Sequence, residues 1–208
     1  MKKIVVFLIL ITITACMNNK KLLVIGHRGA MGHETENTIP SIKKALELNV
    51  DMIEIDVFKI ATGEIVVFHD DTVERLTNGN GNIEDYTWEE LQKLNVTGGH
   101  KIPLLTDVID VINRKVPLNI ELKGAGTAED VNEILENYID EKGWKLEDFL
   151  ISSFNWEELK IMRKSNENID IAVLIENEDP LEALPLAKEL NAVAINPDFE
   201  KLNLENAN

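Results

Sequence analysis

The segment Met52-Ile53-Glu54-Ile55-Asp56-Val57 decides how the rest of the chain reads. Successive side chains of a strand point to opposite faces, so Ile53, Ile55 and Val57 share one face while Glu54 and Asp56 project together from the other. An isolated Glu-x-Asp of this kind is ordinarily a solvated strand face. Here the pattern returns downstream, where Leu118, Ile120 and Leu122 form an apolar face opposite Asn119, Glu121 and Lys123. Carboxylates turned inward from two strands repel one another and are costly to bury, so a divalent cation or nearby bases must offset them. A polar stripe of this composition on interior strands implies a site.

Around these two segments, short apolar runs alternate with stretches of helical period, the order expected of βα units and a parallel sheet. The predicted strands are Leu22 to Ile25, Met52 to Val57, Ile65 to Phe68, Leu118 to Leu122, Phe149 to Ser153, Ile171 to Ile175 and Ala192 to Ile195. The first is continuously apolar, as a strand covered on both faces should be. Predicted helices run from Ile39 to Leu48, with Thr38 as N-cap, and over Trp88 to Leu94, Leu105 to Ile112, Ala128 to Asp140, Trp156 to Lys164 and Leu181 to Leu190. Periodicity alone leaves two architectures open: an open doubly wound sheet, or a (β/α)8 barrel lacking one strand. Inward carboxylates suit the C-terminal rim of a barrel, where active sites of that fold gather.

Composition narrows the function. The chain has 208 residues, 44% of them hydrophobic, and a formal charge of −16. Such a charge opposes binding to nucleic acid, whose affinity comes from Lys and Arg neutralising phosphates. One cysteine excludes an internal disulfide and a thiolate zinc site, so a metal would be held by oxygen or imidazole. At the start, Lys2 and Lys3 precede an apolar run from Ile4 to Ile13 that is too short to span a bilayer. It closes with Ile13-Thr14-Ala15-Cys16, which resembles the lipobox at which bacterial lipoproteins are cut and acylated. The expectation is a signal peptide over residues 1–15, a lipid on Cys16 that holds the protein to the cell envelope outside the cytoplasm, and a tether over 16–21. The alternative is an ordinary signal peptide with an incidental cysteine.

Two histidines lie just beyond predicted strand ends, in His27-Arg28-Gly29 and in His69-Asp70. Imidazoles flanking a metal suit a reaction that needs one base and one acid. Arg28 and Lys123 supply what a phosphate needs, a bidentate donor and a point charge, so phosphoryl transfer is the reaction class these groups fit. His33 and His100 have no motif partner and read as surface or loop residues. Trp88, Trp144 and Trp156 read as packing residues, and Glu89-Glu90 and Glu157-Glu158 as solvated first turns of helices.

These motifs, in this order, resemble the glycerophosphodiester phosphodiesterases. The resemblance runs from about Leu22 to Pro197 and is carried by His27-Arg28-Gly29, Glu36-Asn37-Thr38, Glu54-Ile55-Asp56, His69-Asp70, the Arg75 to Gly81 segment, Glu121-Leu122-Lys123 and Ser152-Ser153-Phe154. It implies an α/β fold, a (β/α)8 TIM-type barrel, with a small insertion after the third strand over about 71–103. It implies that Glu54, Asp56 and Glu121 hold one divalent cation, Mg2+ or Ca2+, and that His27 and His69 are the acid/base pair. Arg28 and Lys123 would bind the phosphodiester oxygens, and the products would be glycerol 3-phosphate and an alcohol. Glu36 and Asn37 would either orient those groups or only shape the helix entry.

Two places depart from the family pattern. The interval between Val57 and Ile65 looks locally like a hairpin, whereas the family pattern implies an extended crossover between parallel strands. The eighth strand and last helix of the barrel have no counterpart before Asn208, so the domain over residues 22–208 is expected to lack the last βα unit and to be incomplete at its C-terminus. Two other functions share much of this reading: a phospholipase of the same barrel superfamily, and a catalytically inactive binding lipoprotein.

Overall fold

The computed structural model describes residues 22–176 and 179–203. The predicted signal peptide, the Cys16 lipid site and the tether over 16–21 lie outside the described residues. Among the described residues the sheet has seven strands, of which six are parallel, in the order β1 (Ile25–Gly26), β2 (Met52–Lys59), β4 (Leu118–Leu122), β5 (Phe149–Ser153), β6 (Asp170–Ile175) and β7 (Ala194–Pro197). The helices that connect and cover them are α1 (Ile39–Glu47), α2 (Trp88–Leu91), α3 (Leu105–Ile112), α4 (Ala128–Lys142), α5 (Trp156–Ser165) and α6 (Leu184–Glu189). The alternation read from the sequence sets the layers. Ile53, Ile55, Val57, Leu118, Ile120, Leu122, Ile151, Ile171 and Val173 all lie in one core with the apolar stripes of the helices, including Ile42, Val108, Ile112, Val131 and Leu159. The opposite face carries Glu54, Asp56, Asn119, Glu121 and Ser152, buried because the parallel sheet curls around them.

The strand β3 (Ile65–Val67) corrects the expected crossover. It pairs antiparallel with β2, in the register Val57 to Val67, Phe58 to Val66 and Lys59 to Ile65. The cause is local: Gly63 adopts φ +97° and its N–H bonds to the Ile60 carbonyl, turning the chain straight back. Crossover and hairpin nevertheless place His69 at the same height. β2 runs past the level of the neighbouring strand ends before the chain reverses, and Phe68 N–H then bonds to the Asp56 carbonyl, so His69 emerges beside the carboxylates.

The hairpin's second face nucleates the insertion. Phe58, Val66 and Phe68 pack with Val73, Ile83, Leu91, Val96 and Ile102 in a small core separate from the main one. Two further differences concern edges and caps. Leu22 to Ile25 are exposed rather than covered, Leu22 at 90%, since β1 pairs only with β2 among the described residues. Glu158 is not solvated like Glu157 but 3% exposed. Its carboxylate accepts the backbone N–H groups of Gly126, Thr127 and Ala128, at 2.7, 3.0 and 2.8 Å, and so caps α4 from the side. Trp144 packs as expected, buried and stacked on Phe149 at 4.9 Å.

Candidate active site

Parallel register puts Asp56 of β2 opposite Glu121 of β4, and the period of two adds Glu54 one step below. Glu54, Asp56 and Glu121 each offer an oxygen within 4.8 Å of the others, and all three are buried. Each of the β2 carboxylates has one oxygen held by the protein and one left over. Glu54 Oε2 accepts Arg28 N–H at 2.8 Å, and Asp56 Oδ2 accepts the Asn37 amide at 2.8 Å. Glu54 Oε1, Asp56 Oδ1 and Glu121 Oε1 are buried without a hydrogen-bond partner. Lys123 Nζ stands 3.2 Å from Glu121 Oε1, close enough for attraction but not aligned as a hydrogen bond. Burial, then the neighbouring Asp56, pushes the Glu54 carboxyl well above its ordinary range and raises Glu121 in the same order of causes. Three carboxylates that each bring a hard oxygen within 4.8 Å of the others can hold a divalent cation.

His27, Arg28, Glu36, Asn37, His69 and Lys123 come to this same end of the sheet. His27 follows β1, with Nε2 3.9 Å from Glu54 Oε2. Burial, then the charge of Arg28, lowers its pKa and keeps the imidazole neutral at pH 7. His69 follows β3, with Nδ1 2.6 Å from Asp70 Oδ1 and Nε2 3.4 Å from Lys123 Nζ. Arg28 takes φ +53° to aim inward, its Nε buried without a hydrogen bond and 3.6 Å from Asp56 Oδ2. The turn that carries it needs Gly29, at φ +82°, because a Cβ there would lie 2.5 Å from Ser41 Oγ and 2.8 Å from the Ser41 backbone.

Glu36 and Asn37 do more than open a helix. Asn37, itself at φ +55°, clamps Asp56 through its amide, and Glu36 accepts from Arg28 Nη1 at 2.8 Å. Burial alone would raise the Glu36 carboxyl, but hydrogen bonds from Arg75 and Arg28 outweigh it and hold it below its usual value. Asp70 is held down to about 2, first by its hydrogen bonds to Arg75. In the sequence Arg75 stands only as part of a motif, with no visible partner, because its two carboxylates sit five and 39 positions away.

The sequence pattern of the glycerophosphoryl diester phosphodiesterase family matches residues 27–206. The chain belongs to that family. A glycerophosphodiester phosphodiesterase of Caldanaerobacter subterraneus is 37% identical over 188 residues, covering 86% of this chain and 76% of the relative. Another from Bacillus altitudinis is 34% identical over 166 residues, covering 73% of this chain and 65% of the relative. The chain thus spans from about two thirds to three quarters of these family members. Among solved structures, an Oleispira antarctica phosphodiesterase in complex with the product sn-glycerol-3-phosphate superposes with a TM-score of 0.79 at 26% identity, over 89% of this chain and 78% of that one. The family member from Thermotoga maritima superposes with a TM-score of 0.71 at 25% identity, over 90% and 78%.

Proposed function

We propose that this chain hydrolyses glycerophosphodiesters to glycerol 3-phosphate and an alcohol. The observation that carries the reading is the convergence of three buried, partly unpartnered carboxylates with two imidazoles, Arg28 and Lys123 at one rim. The product held by the Oleispira relative supports the same substrate class. Glu54, Asp56 and Glu121 would hold one cation, Mg2+ or Ca2+, as their oxygen-only donor set fits a hard ion. When bound, that ion supplies charge stabilisation to the transition state and lowers the pKa of a nearby hydroxyl.

The remaining steps fall to side chains. Arg28, held by Glu36 through Nη1, would bind the phosphodiester with its guanidinium, and Lys123, between Glu121 and His69, would add a positive charge on the same rim. His27, neutral at pH 7, accepts the proton of the glycerol hydroxyl as its oxygen attacks phosphorus and closes a cyclic phosphate. His69, when it carries a second proton on Nε2, delivers that proton to the departing alcohol oxygen and keeps the Nδ1 proton on Asp70. Water then opens the ring with the two imidazoles exchanging roles. The lipobox-like ending at Cys16 supports a lipid-anchored, extracytoplasmic enzyme that acts on diesters released from membrane lipids.

Purified protein offered glycerophosphocholine or vesicles of phosphatidylcholine tests the substrate class. Glycerol 3-phosphate should form from the first, with no head-group release from the second. Activity on vesicles alone makes it a phospholipase, and inactivity of well-folded protein on both makes it a binding lipoprotein.

A further inference from the structure

Arg75 lies in the insertion and is 47% exposed at its side chain, yet all three of its nitrogens are engaged. It grips two carboxylates in bidentate fashion. Nε and Nη2 bond to Asp70, the latter to Oδ1 at 2.8 Å. Nη1 and Nη2 bond to Glu36, at 3.0 Å to Oε2 and 2.7 Å to Oε1. The same nitrogen, Nη2, therefore sits between Asp70 Oδ1 and Glu36 Oε1. Those two oxygens are also the ones that hold His69 Nδ1, at 2.6 Å, and Arg28 Nη1, at 2.8 Å.

We propose that Arg75 is a positioning residue that fixes the acid/base imidazole of His69 and the phosphate-binding guanidinium of Arg28 relative to one another, acting through Asp70 and Glu36. The proposal rests on the hydrolytic reading above. The physical case is geometric. A carboxylate with one strong partner can swing about its side-chain torsions, whereas one locked bidentately by a planar fork presents its oxygen in one place. Asp70 so fixed holds His69 with a proton on Nδ1 and Nε2 facing the site, and Glu36 so fixed holds the Arg28 guanidinium through Nη1 with its Nε 3.6 Å from Asp56 Oδ2. The two groups come from different loops, after β1 and after β3, and Arg75 ties both carboxylates behind them with one guanidinium. A lysine could contact either carboxylate but could not form both forks.

The test is a set of variants assayed on glycerophosphocholine: Arg75→Ala, Arg75→Lys, Asp70→Asn, Glu36→Gln and the doubles Arg75→Ala with each carboxylate variant. Arg75→Ala should lower kcat by roughly 10-fold or more and raise KM by roughly 10-fold, with Arg75→Lys recovering less than about threefold of either. On the Asp70→Asn background the arginine variant should cost no further kcat and only raise KM. On the Glu36→Gln background it should cost no further KM and only lower kcat. Losses that multiply in both doubles overturn the proposal, as does an Arg75→Ala enzyme with wild-type constants. A second readout needs no turnover: ring-nitrogen NMR of His69 in metal-free protein should show the Nδ1-protonated tautomer in wild type and a mixture in Arg75→Ala. An unchanged ring spectrum in a folded variant refutes the positioning role. Wild-type protein without activity refutes the hydrolytic reading instead, and the NMR result then decides the positioning role alone.

Discussion

Removing one charge from the acidic cluster should make the metal-free protein more stable, not less. Glu54→Gln keeps the shape of the side chain and a carbonyl oxygen to accept the Arg28 N–H now given to Oε2 at 2.8 Å. What it deletes is repulsion from two carboxylates whose oxygens lie within 4.8 Å. At an effective dielectric of about 20, each such pair is worth ~3.5 kcal/mol if both members are ionised. The metal-free protein relieves part of that by favouring the protonated Glu54 carboxyl, because burial and then Asp56 raise its pKa well above 4.5. The residual gain for Glu54→Gln at about pH 8 is then ~1–3 kcal/mol, or roughly 3–10 °C in Tm for a chain of this size. The sign with pH follows from raised values. Glu54 and Glu121 contribute stability that is complete below their unfolded pKa of 4.5 and is lost as pH rises through the folded ones, so the variant's advantage should vanish near about pH 5. Saturating Mg2+ should invert the ranking: wild type gains about 4.1 kcal/mol at about 1,000 times Kd, and Glu54→Gln little. Thermal melts followed by circular dichroism, in EDTA and in MgCl2 at the two pH values, measure all four quantities. A metal-free Glu54→Gln protein that melts below wild type at the higher pH would show that the carboxylate is stably paired, and the reasoning would fall with it.

Other outcomes follow from the same geometry. His27→Ala and His69→Ala should each cut turnover of glycerophosphocholine by about 100-fold or more while shifting stability by less than ~1 kcal/mol; a comparable loss of folding would make either histidine structural. Chelation should stop release of glycerol 3-phosphate, and added Mg2+ or Ca2+ should restore it, as a coupled enzymatic assay of the product reads directly. Gly29→Ala should destabilise by roughly 2 kcal/mol or more in a denaturant titration, since its Cβ would meet the Ser41 backbone at 2.8 Å in a left-handed turn. Glu158→Ala should cost about 2–4 kcal/mol by the same titration, because three backbone donors at the start of α4 lose a buried carboxylate acceptor.

How much of this was readable beforehand depends on the range of the interaction. The period of two in Met52 to Val57 and in Leu118 to Lys123 places three carboxylates on one face with no further information, and their burial follows from apolar partners on the other. The reversal before Ile65 was also a local matter, written in Thr62-Gly63, and family expectation overrode the better local signal. Glu158 was illegible because the first turn of α5 offers Glu157 and Glu158 alike; only the packing of α4 against α5 decides which is buried. Arg75 was legible as a motif but not as a clamp, since Glu36 meets it across 39 positions and nothing in local periodicity links the two.

The overshoot of β2 has one more consequence. The depth at which His69 emerges is fixed by the pairing of Asp56 with Phe68, not by the length of whatever stands above it. Equal additions to the two arms of the hairpin would lift the small upper core and carry Arg75 away from Asp70 and Glu36. Roof and floor are thus stitched together through one guanidinium, so the length of the hairpin is not free to drift.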